Sequence, residues 1–455
     1  MTAFRNVAVI DVGKTNAKLS LVNVENCLHE IAVVTRPNLV LTGPPWPHFD
    51  LEGHWSFFLD HLAVFEAKEG VDAISITTHG ASGVLLDAEG ELAIPMLDYE
   101  YPGPDAVAHR YDKIRPPFAE TGSARLPHGL NLGAQLFWLF EMHPNLRDRI
   151  AHVLTYPQYW GYRLTGQRAT EVTSLGCHTD LWNPRERRFS SLVDRLGIVE
   201  KIAPARRSCE RLGPLLPEVA KVTGLAVDTL VVCGIHDSNA SLYPYVSSRK
   251  APFSVVSTGT WVVCMAVGGE QVSLDPSRDL LVNVDALGDP VPSARFMGGR
   301  EYEIIRAGSK VVPTAADHGR VLSENIMILP AVEPSSGPFP GREMRWVGAP
   351  ETDGERLAAL AYYLALMTNT CLELIGAKGS VIVEGPFARN EEFLGMLAAL
   401  WPGGIEVATS STGTSIGAAS LCLSAARAPE TRLVSRPGAL HVLRGYGRRW
   451  RELVV

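Results

Sequence analysis

Three stretches of this chain combine residue types that suit chemistry on a polyphosphate or a hydroxyl. In Val7–Asn23, VAVIDVGKTNAKLSLVN, an apolar run leads to Asp11, whose carboxylate at a strand end suits a hydrated Mg²⁺ and makes Asp11 the candidate metal ligand. Gly13 lets the backbone come close to a ligand, and Lys14, Thr15, Asn16 and Lys18 offer donors to phosphate oxygens. In Phe253–Met265, FSVVSTGTWVVCM, the turn Ser257-Thr258-Gly259-Thr260 offers hydroxyls and backbone N–H groups of the same kind. The third stretch, Gly234-Ile235-His236-Asp237, ends an apolar strand with an imidazole beside a carboxylate. On its residues alone Asp237 reads as an N-cap for the helix that follows, and for His236, with no second His or Cys at ligand spacing, a sugar contact or a buried hydrogen bond is a better reading than a metal ligand.

Each phosphate-type stretch needs a hairpin to present it. Val7–Ile10 is mostly β-branched, Asp11-Val12-Gly13 breaks the run, and apolar Ala17, Leu19 and Leu21 then alternate with polar Lys18 and Ser20. Gly13-Lys14-Thr15 is not a Walker A loop, because Ala8 stands where that motif requires glycine and the chain continues as strand rather than helix. Its alternative reading is a sheet edge with a solvated polar turn. Phe253–Met265 repeats the strand–turn–strand plan, so the chain reads as a duplicated domain whose two turns face a shared cleft.

The remaining elements follow as a strand–helix alternation. The pattern predicts a strand at Ile31–Val34, a helix from Trp55 to Lys68, a strand at Val71–Thr78, and a hairpin pairing Val84–Leu86 with Leu92–Ile94. Helices follow at Leu132–Leu139, Tyr159–Leu164 and Pro217–Thr223, with a strand at Thr229–Cys233. Glu171–Pro184 lacks apolar periodicity and reads as a surface connection, with a cavity-lining loop as the alternative. Gly268 to Glu351 reads as loops and short strands; beyond it come a helix at Leu357–Ile375, a strand at Ser380–Glu384, a Gly/Pro turn at Gly385–Asn390, a helix at Glu391–Leu400, a strand at Ile405–Ala408 and a helix at Ser415–Ala426.

A length of 455 residues suits two domains of about 200 residues each rather than one core. A net charge of -7 argues against a nucleic-acid surface. The seven cysteines, Cys27, Cys177, Cys209, Cys233, Cys264, Cys371 and Cys422, are scattered and never spaced as CxxC, which points to a reducing, cytoplasmic setting without zinc or a disulfide framework. No signal-peptide core opens the chain, and the longest apolar run, Leu357–Met367, falls short of the roughly 20 residues a membrane span needs and reads as a buried helix.

Taken in order, these motifs resemble the FGGY carbohydrate kinases, a branch of the actin-like ATPases. The likeness runs through DVGKTNAK (Asp11–Lys18), YRLTG (Tyr162–Gly166), LGPLLPEVAKVTGL (Leu212–Leu225), GIHDSNA (Gly234–Ala240), STGT (Ser257–Thr260), GPFARN (Gly385–Asn390) and TSIGAA (Thr414–Ala419). The resemblance implies an α/β fold of two ribonuclease H-like domains, here 1–245 and 246–455, with a catalytic cleft between them that takes ATP, Mg²⁺ and a sugar. It implies Asp237 as the general base that accepts the proton of the attacking hydroxyl. It places Gly385, Pro386, Phe387 and Asn390 with the phosphate motifs as nucleotide contacts, and His236 with the sugar. Pro386 departs from the usual Gly-Gly opening, removing an N–H and fixing φ.

For the sugar, His79 ends a buried strand, and Gly80-Ala81 replaces the Arg-Glu pair that glycerol kinases carry, which argues against glycerol. Asp98-Tyr99-Glu100-Tyr101 supplies aromatic faces for C–H groups and carboxylates for hydroxyls, so His79, Gly80, Tyr99, Glu100, His236 and Asp237 form the expected substrate set. The tyrosines have an alternative role in packing beneath the loop. The expected activity is phosphorylation of a primary hydroxyl of a ketose, L-rhamnulose or L-fuculose before xylulose or ribulose, by a protein that binds neither nucleic acid nor membrane; a homodimer is left open. The rival readings are an actin- or chaperone-like ATPase switch and a catalytically silent sugar-binding regulator.

Overall fold

The computed structural model describes residues 4–25, 28–409, 413–423, 427 and 429–454. The chain divides into two compact units, Met1–Arg249 with Val282–Pro290 and Thr412–Ala428, and Lys250–Leu281 with Val291–Ser411 and Pro429–Val455. Residues 413–423 join the first unit because the helix Thr414–Ser420 is bonded there: Ser75 Oγ donates to Ala418 O (2.7 Å), and Ser415 and Ser20 share a hydroxyl bond (3.3 Å).

In the first unit, strands β1 (Asn6–Val12), β2 (Asn16–Asn23) and β3 (His29–Pro37) form an antiparallel meander. On the other side of β1 run Ala73–Thr78 and then Leu230–Val232, both parallel, with Arg211–Gly213 antiparallel at the edge. Both β1 and Ala73–Thr78 are buried along their full length; β1 carries the continuous apolar run Val7–Ile10, while Ala73–Thr78 takes Ser75, Thr77 and Thr78 into the interior between and after its isoleucines. Val12 pairs with Thr78, and Thr78 in turn with His236 of the short strand Ile235–His236. Three strands thus end together, which brings Gly13, His79 and Asp237 to one edge of the sheet, the carboxyl edge where open α/β sheets bind ligands. Helix α1 (Leu51–Glu69) covers the sheet, capped by Asp50, which accepts from Gly53 N, and stopped by Gly70.

Two expectations for this unit fail. Gly83–Leu86 pairs with His152–Thr155, not with Leu92–Ile94; one bridge, Leu86–Leu92, is all that remains of the expected hairpin, since the distant strand offers a four-residue ladder. Glu171–Pro184 is interior rather than surface: it contains a helical turn, Val172–Leu175, and buries Glu171, Thr173, Cys177, Asp180 and Trp182. Glu171, Thr173, Ser174, Thr179 and Asp180 find partners within the protein, so hydropathy misjudged its depth.

In the second unit Phe253–Thr258 and Val262–Val267 form a hairpin, Pro290–Phe296 extends it antiparallel, and Ser380–Glu384 and Ile405–Ala408 add parallel strands on the other side. Each unit is thus a hairpin-led sheet extended by parallel strands, the ribonuclease H-like plan. Helix Asp353–Leu374 is long and apolar enough to cross a bilayer, yet most of it is buried in the core of this unit against Phe393, Leu397 and Tyr446. The stretch from Gly268 to Glu351 holds two helices that were not expected, Gly298–Arg306 and Ala315–Glu324, the latter started by a Thr314/Asp317 capping box. Each buries only a narrow face, too sparse a signal to stand out among the glycines and prolines. Of the predicted helix Ser415–Ala426, the structure forms Thr414–Ser420, and residues 424–426 lie outside the described residues, as does Cys27.

The small-residue helix Thr414–Ser420 packs on Asp237–Ser248 so closely that a Cβ on Gly417 would sit 1.7 Å from Ala240 O. Backbone cannot yield as a flexible side chain would. Gly417→Ala is expected to lower stability by about 1–3 kcal/mol or more, read as a reduced urea midpoint; an unchanged midpoint would show that the two helices can separate at no cost.

Candidate active site

At the carboxyl edge of the first sheet, Asp11 Oδ2 accepts from Thr414 Oγ1 (2.6 Å) and faces Lys18 Nζ at 3.2 Å. Burial pushes the Asp11 carboxyl above its ordinary range, and Lys18 and Thr414 oppose that shift. Among the described residues no group of three His, Cys, Asp or Glu side chains is gathered for a metal. A lone carboxylate fits Mg²⁺ only in the mode where phosphate oxygens and water complete the shell. Beyond Asp11 the turn is tight: Gly13 N donates to Asn16 O, Asn38 Nδ2 donates to Gly13 O, and Thr15 and Asn16 are exposed at the tip.

Lys14 turns toward the acidic loop. Its ammonium pairs with Asp98 and Glu100 and lies 4.7 Å from the centre of the Tyr99 ring. The residue grouped by sequence with phosphate donors therefore joins the aromatic and acidic residues of the expected substrate set. Tyr99 meets His79 edge-on with ring centres 5.2 Å apart, while Tyr101 packs on Trp138. His79 is buried between Phe49, Tyr99 and Tyr156, and burial holds its pKa low. Its Nδ1 lies 3.0 Å from Gly80 O, a contact that requires Nδ1–H. The other nitrogen, Nε2, is then a bare acceptor, buried and without a partner.

Asp237 is the first residue of its helix, not the cap; His236 holds the cap position, and its side chain makes no capping bond. Asp237 Oδ1 accepts from Ser238 N (2.6 Å) and Ser238 Oγ (3.3 Å) and lies 3.2 Å from His236 Nε2. No bond engages Oδ2 among the described residues, and the side chain is 28% exposed. Its charge reaches Asp11, His79 and Tyr99, so these residues converge on one place.

The second unit assembles the other two motifs. Thr258 Oγ1 donates to Glu384 O and accepts from Phe387 N (3.1 Å), which ties the STGT turn to Gly385-Pro386-Phe387, while Gly259 and Thr260 are exposed. Gly385 has φ +83°, and Pro386 opens the short helical turn Pro386–Arg389, where no N–H is needed and a fixed φ fits. The proline that departs from the family pattern thus suits its backbone. Phe387 is buried against Tyr302 and Phe393 and has only backbone to offer a ligand; Asn390 caps helix Glu391–Leu400, accepting from Phe393 N.

Two sequence-family profiles match the chain. Residues 7–243 match "FGGY family of carbohydrate kinases, N-terminal domain", and residues 250–431 match "Carbohydrate kinase FGGY, C-terminal domain". The chain belongs to the FGGY family of carbohydrate kinases. A crystal structure of a carbohydrate kinase from Novosphingobium aromaticivorans is 38% identical, with a TM-score of 0.91 over 98% of this chain and 100% of that one. An L-fuculokinase from Escherichia coli (strain K12) is 26% identical over 57% of this chain and 56% of its own length, and a rhamnulokinase from Bacteroides thetaiotaomicron is 25% identical over 56% and 54%. The chain therefore spans a little over half the length of the curated relatives it matches.

Within this FGGY chain the floor beneath His236 was missed from sequence. Glu171 is fully buried and accepts from Thr173 N and Oγ1, Ser174 N and Oγ, and Ser208 Oγ at 2.6–3.1 Å. Thr173 Oγ1 in turn accepts from His236 N (3.0 Å). Burial raises the pKa of Glu171, and the hydrogen bonds from Ser208, Thr173 and Ser174 oppose it. A Glu followed by Thr and Ser was the available signal, in the form of a side-chain cap at the head of a helical turn. Glu171→Ala would strand those donors, and a loss on the order of 3 kcal/mol is expected in chemical denaturation; a loss below about 1 kcal/mol would mean the donors re-pair.

Proposed function

We propose that the chain transfers the γ-phosphoryl group of ATP to a primary hydroxyl of a ketose. The observation that carries this reading is the Asp237 carboxylate, with Oδ1 fixed by local donors and Oδ2 open beside an aromatic and acidic wall. As the sugar oxygen bonds to phosphorus and the bond to ADP breaks, Oδ2 receives the hydroxyl proton. Positioning and charge neutralisation supply most of the acceleration in such transfers. Asp11, with Lys18 beside it, is the residue to hold Mg²⁺, which would neutralise phosphate charge when bound. We assign the sugar and the first phosphate motif to residues 1–245 and the second phosphate and adenosine motifs to 246–455.

The wall suits a partly apolar sugar. His79 Nε2 is an acceptor for one hydroxyl, Asp98 and Glu100 accept others with Lys14 as donor, and the Tyr99 face suits a methyl or C–H edge. A deoxyketose such as L-rhamnulose or L-fuculose fits this inventory, a choice supported by the names of the fuculokinase and rhamnulokinase relatives, with xylulose or ribulose next. An ATPase switch or a silent regulator has less support, since family membership and the free base both favour transfer.

Turnover of ATP against a ketose panel tests the reading. A deoxyketose is expected to give the highest kcat/KM, and ATP hydrolysis indifferent to every sugar would overturn it. Asp237→Asn is expected to keep sugar and ATP binding while kcat falls by roughly two to four orders of magnitude; half the wild-type kcat would remove Asp237 from the chemistry. Asp11→Ala is expected to raise the Mg²⁺ concentration needed for half-maximal rate, and an unchanged requirement would leave Asp11 a structural role.

A further inference from the structure

The turn Gly13-Lys14-Thr15-Asn16 is held from beneath by a residue that the transfer chemistry above does not use. Asn38, just beyond β3, donates its backbone N–H to Thr15 O and its side-chain Nδ2 to Gly13 O, both at 2.8 Å. The second bond replaces one that a closed hairpin would make. A two-residue hairpin loop closes when its flanking residues exchange both N–H···O bonds. Here Gly13 N donates to Asn16 O, but Asn16 N returns no bond to Gly13 O. None of Gly13, Lys14, Thr15 and Asn16 takes the positive φ that the favoured two-residue turns require.

A trans peptide points its C=O and N–H in opposite directions. With Gly13 O and Thr15 O both drawn to Asn38, the N–H groups of the same two peptides, those of Lys14 and Asn16, point away from it. Neither finds a protein acceptor among the described residues. Lys14 thus keeps a donor for phosphate although its ammonium turns to Asp98 and Glu100.

Asn38 cannot turn its amide over. Its Oδ1 lies 2.8 Å from His54 Nε2, and His54 Nδ1 lies 2.9 Å from Arg36 Nη1. A guanidinium only donates, so Nδ1 is the acceptor and Nε2 carries the hydrogen. That hydrogen requires Oδ1, which leaves Nδ2 for Gly13 O. One tautomer and one amide orientation give each of these atoms its partner. Arg36 pairs in turn with Asp50, the cap of α1. His54 is fully buried against Phe58 and Trp160, and burial together with the Arg36 charge holds its pKa down to about 4, so the ring stays neutral.

Building on the kinase reading, we propose that Asn38 and His54 are positioning residues: the relay Asp50–Arg36–His54–Asn38 draws the carbonyls of Gly13 and Thr15 inward, so that the amides of Lys14 and Asn16 face the phosphates of ATP. The two side chains are buried, Asn38 at 7% and His54 at 0% exposure, and act on the nucleotide only through the backbone they hold.

Asn38→Asp keeps the shape and the acceptor for His54 while removing the donor to Gly13 O, and Asn38→Leu removes that donor without adding charge. Both are expected to weaken ATP binding, measured by calorimetry without sugar, by about five- to tenfold, and to raise KM for ATP in step while KM for the sugar holds. His54→Phe keeps the aromatic packing, loses the donor that orients Asn38, and is expected to weaken ATP binding by a smaller factor. Amide hydrogen exchange of the wild type is expected to be fast at Lys14 and Asn16 without nucleotide and to slow when ATP binds. Unchanged ATP affinity in a folded Asn38→Leu, a loss confined to the charged Asn38→Asp, KM values for ATP and sugar rising together, or Lys14 and Asn16 amides already protected without nucleotide would each overturn the proposal. The exchange measurement uses the wild type and decides the matter if a variant does not fold. A wild type that binds ATP yet phosphorylates no ketose overturns the kinase reading and leaves these binding measurements decisive; ketose phosphorylation with ATP affinity unchanged in Asn38→Leu overturns this inference alone.

Discussion

The site depends on one backbone constraint, the parallel register that ends β1, Ala73–Thr78 and Ile235–His236 together. Val12, Thr78 and His236 are paired in that ladder, so the residues one step beyond them, Gly13, His79 and Asp237, leave the sheet at the same level. A slip by one residue would flip every side chain to the other face. It would exchange buried Ile10 and Ile76 for polar neighbours, and the continuous apolar core around these strands makes that prohibitive. Packing, not the polar residues themselves, therefore sets where the chemistry stands.

That placement leaves polar groups in dry surroundings, and the structure answers with bonds rather than solvent. Asp11 has Thr414 and Lys18, Glu171 has five donors, and Asp237 Oδ1 has Ser238 and His236. A buried carboxylate without such partners would protonate instead of remaining charged. The exceptions are informative. Among the described residues His79 Nε2 and Asp237 Oδ2 are two acceptors with no protein donor, and both belong to residues at the carboxyl edge of the sheet. Vacant acceptors flanked by fully engaged ones are what a hydroxyl-bearing ligand requires.

Much of the fold was legible in the sequence because its strongest elements carry their own boundaries. Ser380–Glu384, Glu391–Leu400 and Ile405–Ala408 form between the predicted residues, each bounded by Gly, Pro or Asn. Pro217–Thr223 likewise runs from its proline to the Gly224 cap. What escaped was structure held by distant partners. Gly83–Leu86 takes its ladder from His152–Thr155, and Glu171–Asn183 is interior because its polar groups bond to one another, to His236 and to Ser208. No local window contains those partners. The same limit applies to Lys14, whose type suits phosphate but whose neighbours in space are Asp98, Tyr99 and Glu100.

Charge gives the last link between this fold and its chemistry. Asp11 and Asp237 repel one another, and each has its own polar partner at 3.2 Å, Lys18 Nζ for the first and His236 Nε2 for the second. The two compensations differ in kind. Lys18 brings a compact ammonium to Asp11 Oδ2, the oxygen that also accepts from Thr414. His236 meets Asp237 Oδ1 with the edge of a planar ring, and its own backbone N–H is held by Thr173, so it orients the carboxylate without engaging Oδ2. The residue that orients Asp237 is thus itself anchored through Thr173 to Glu171, so the placing of one half-buried carboxylate depends on a fully buried one.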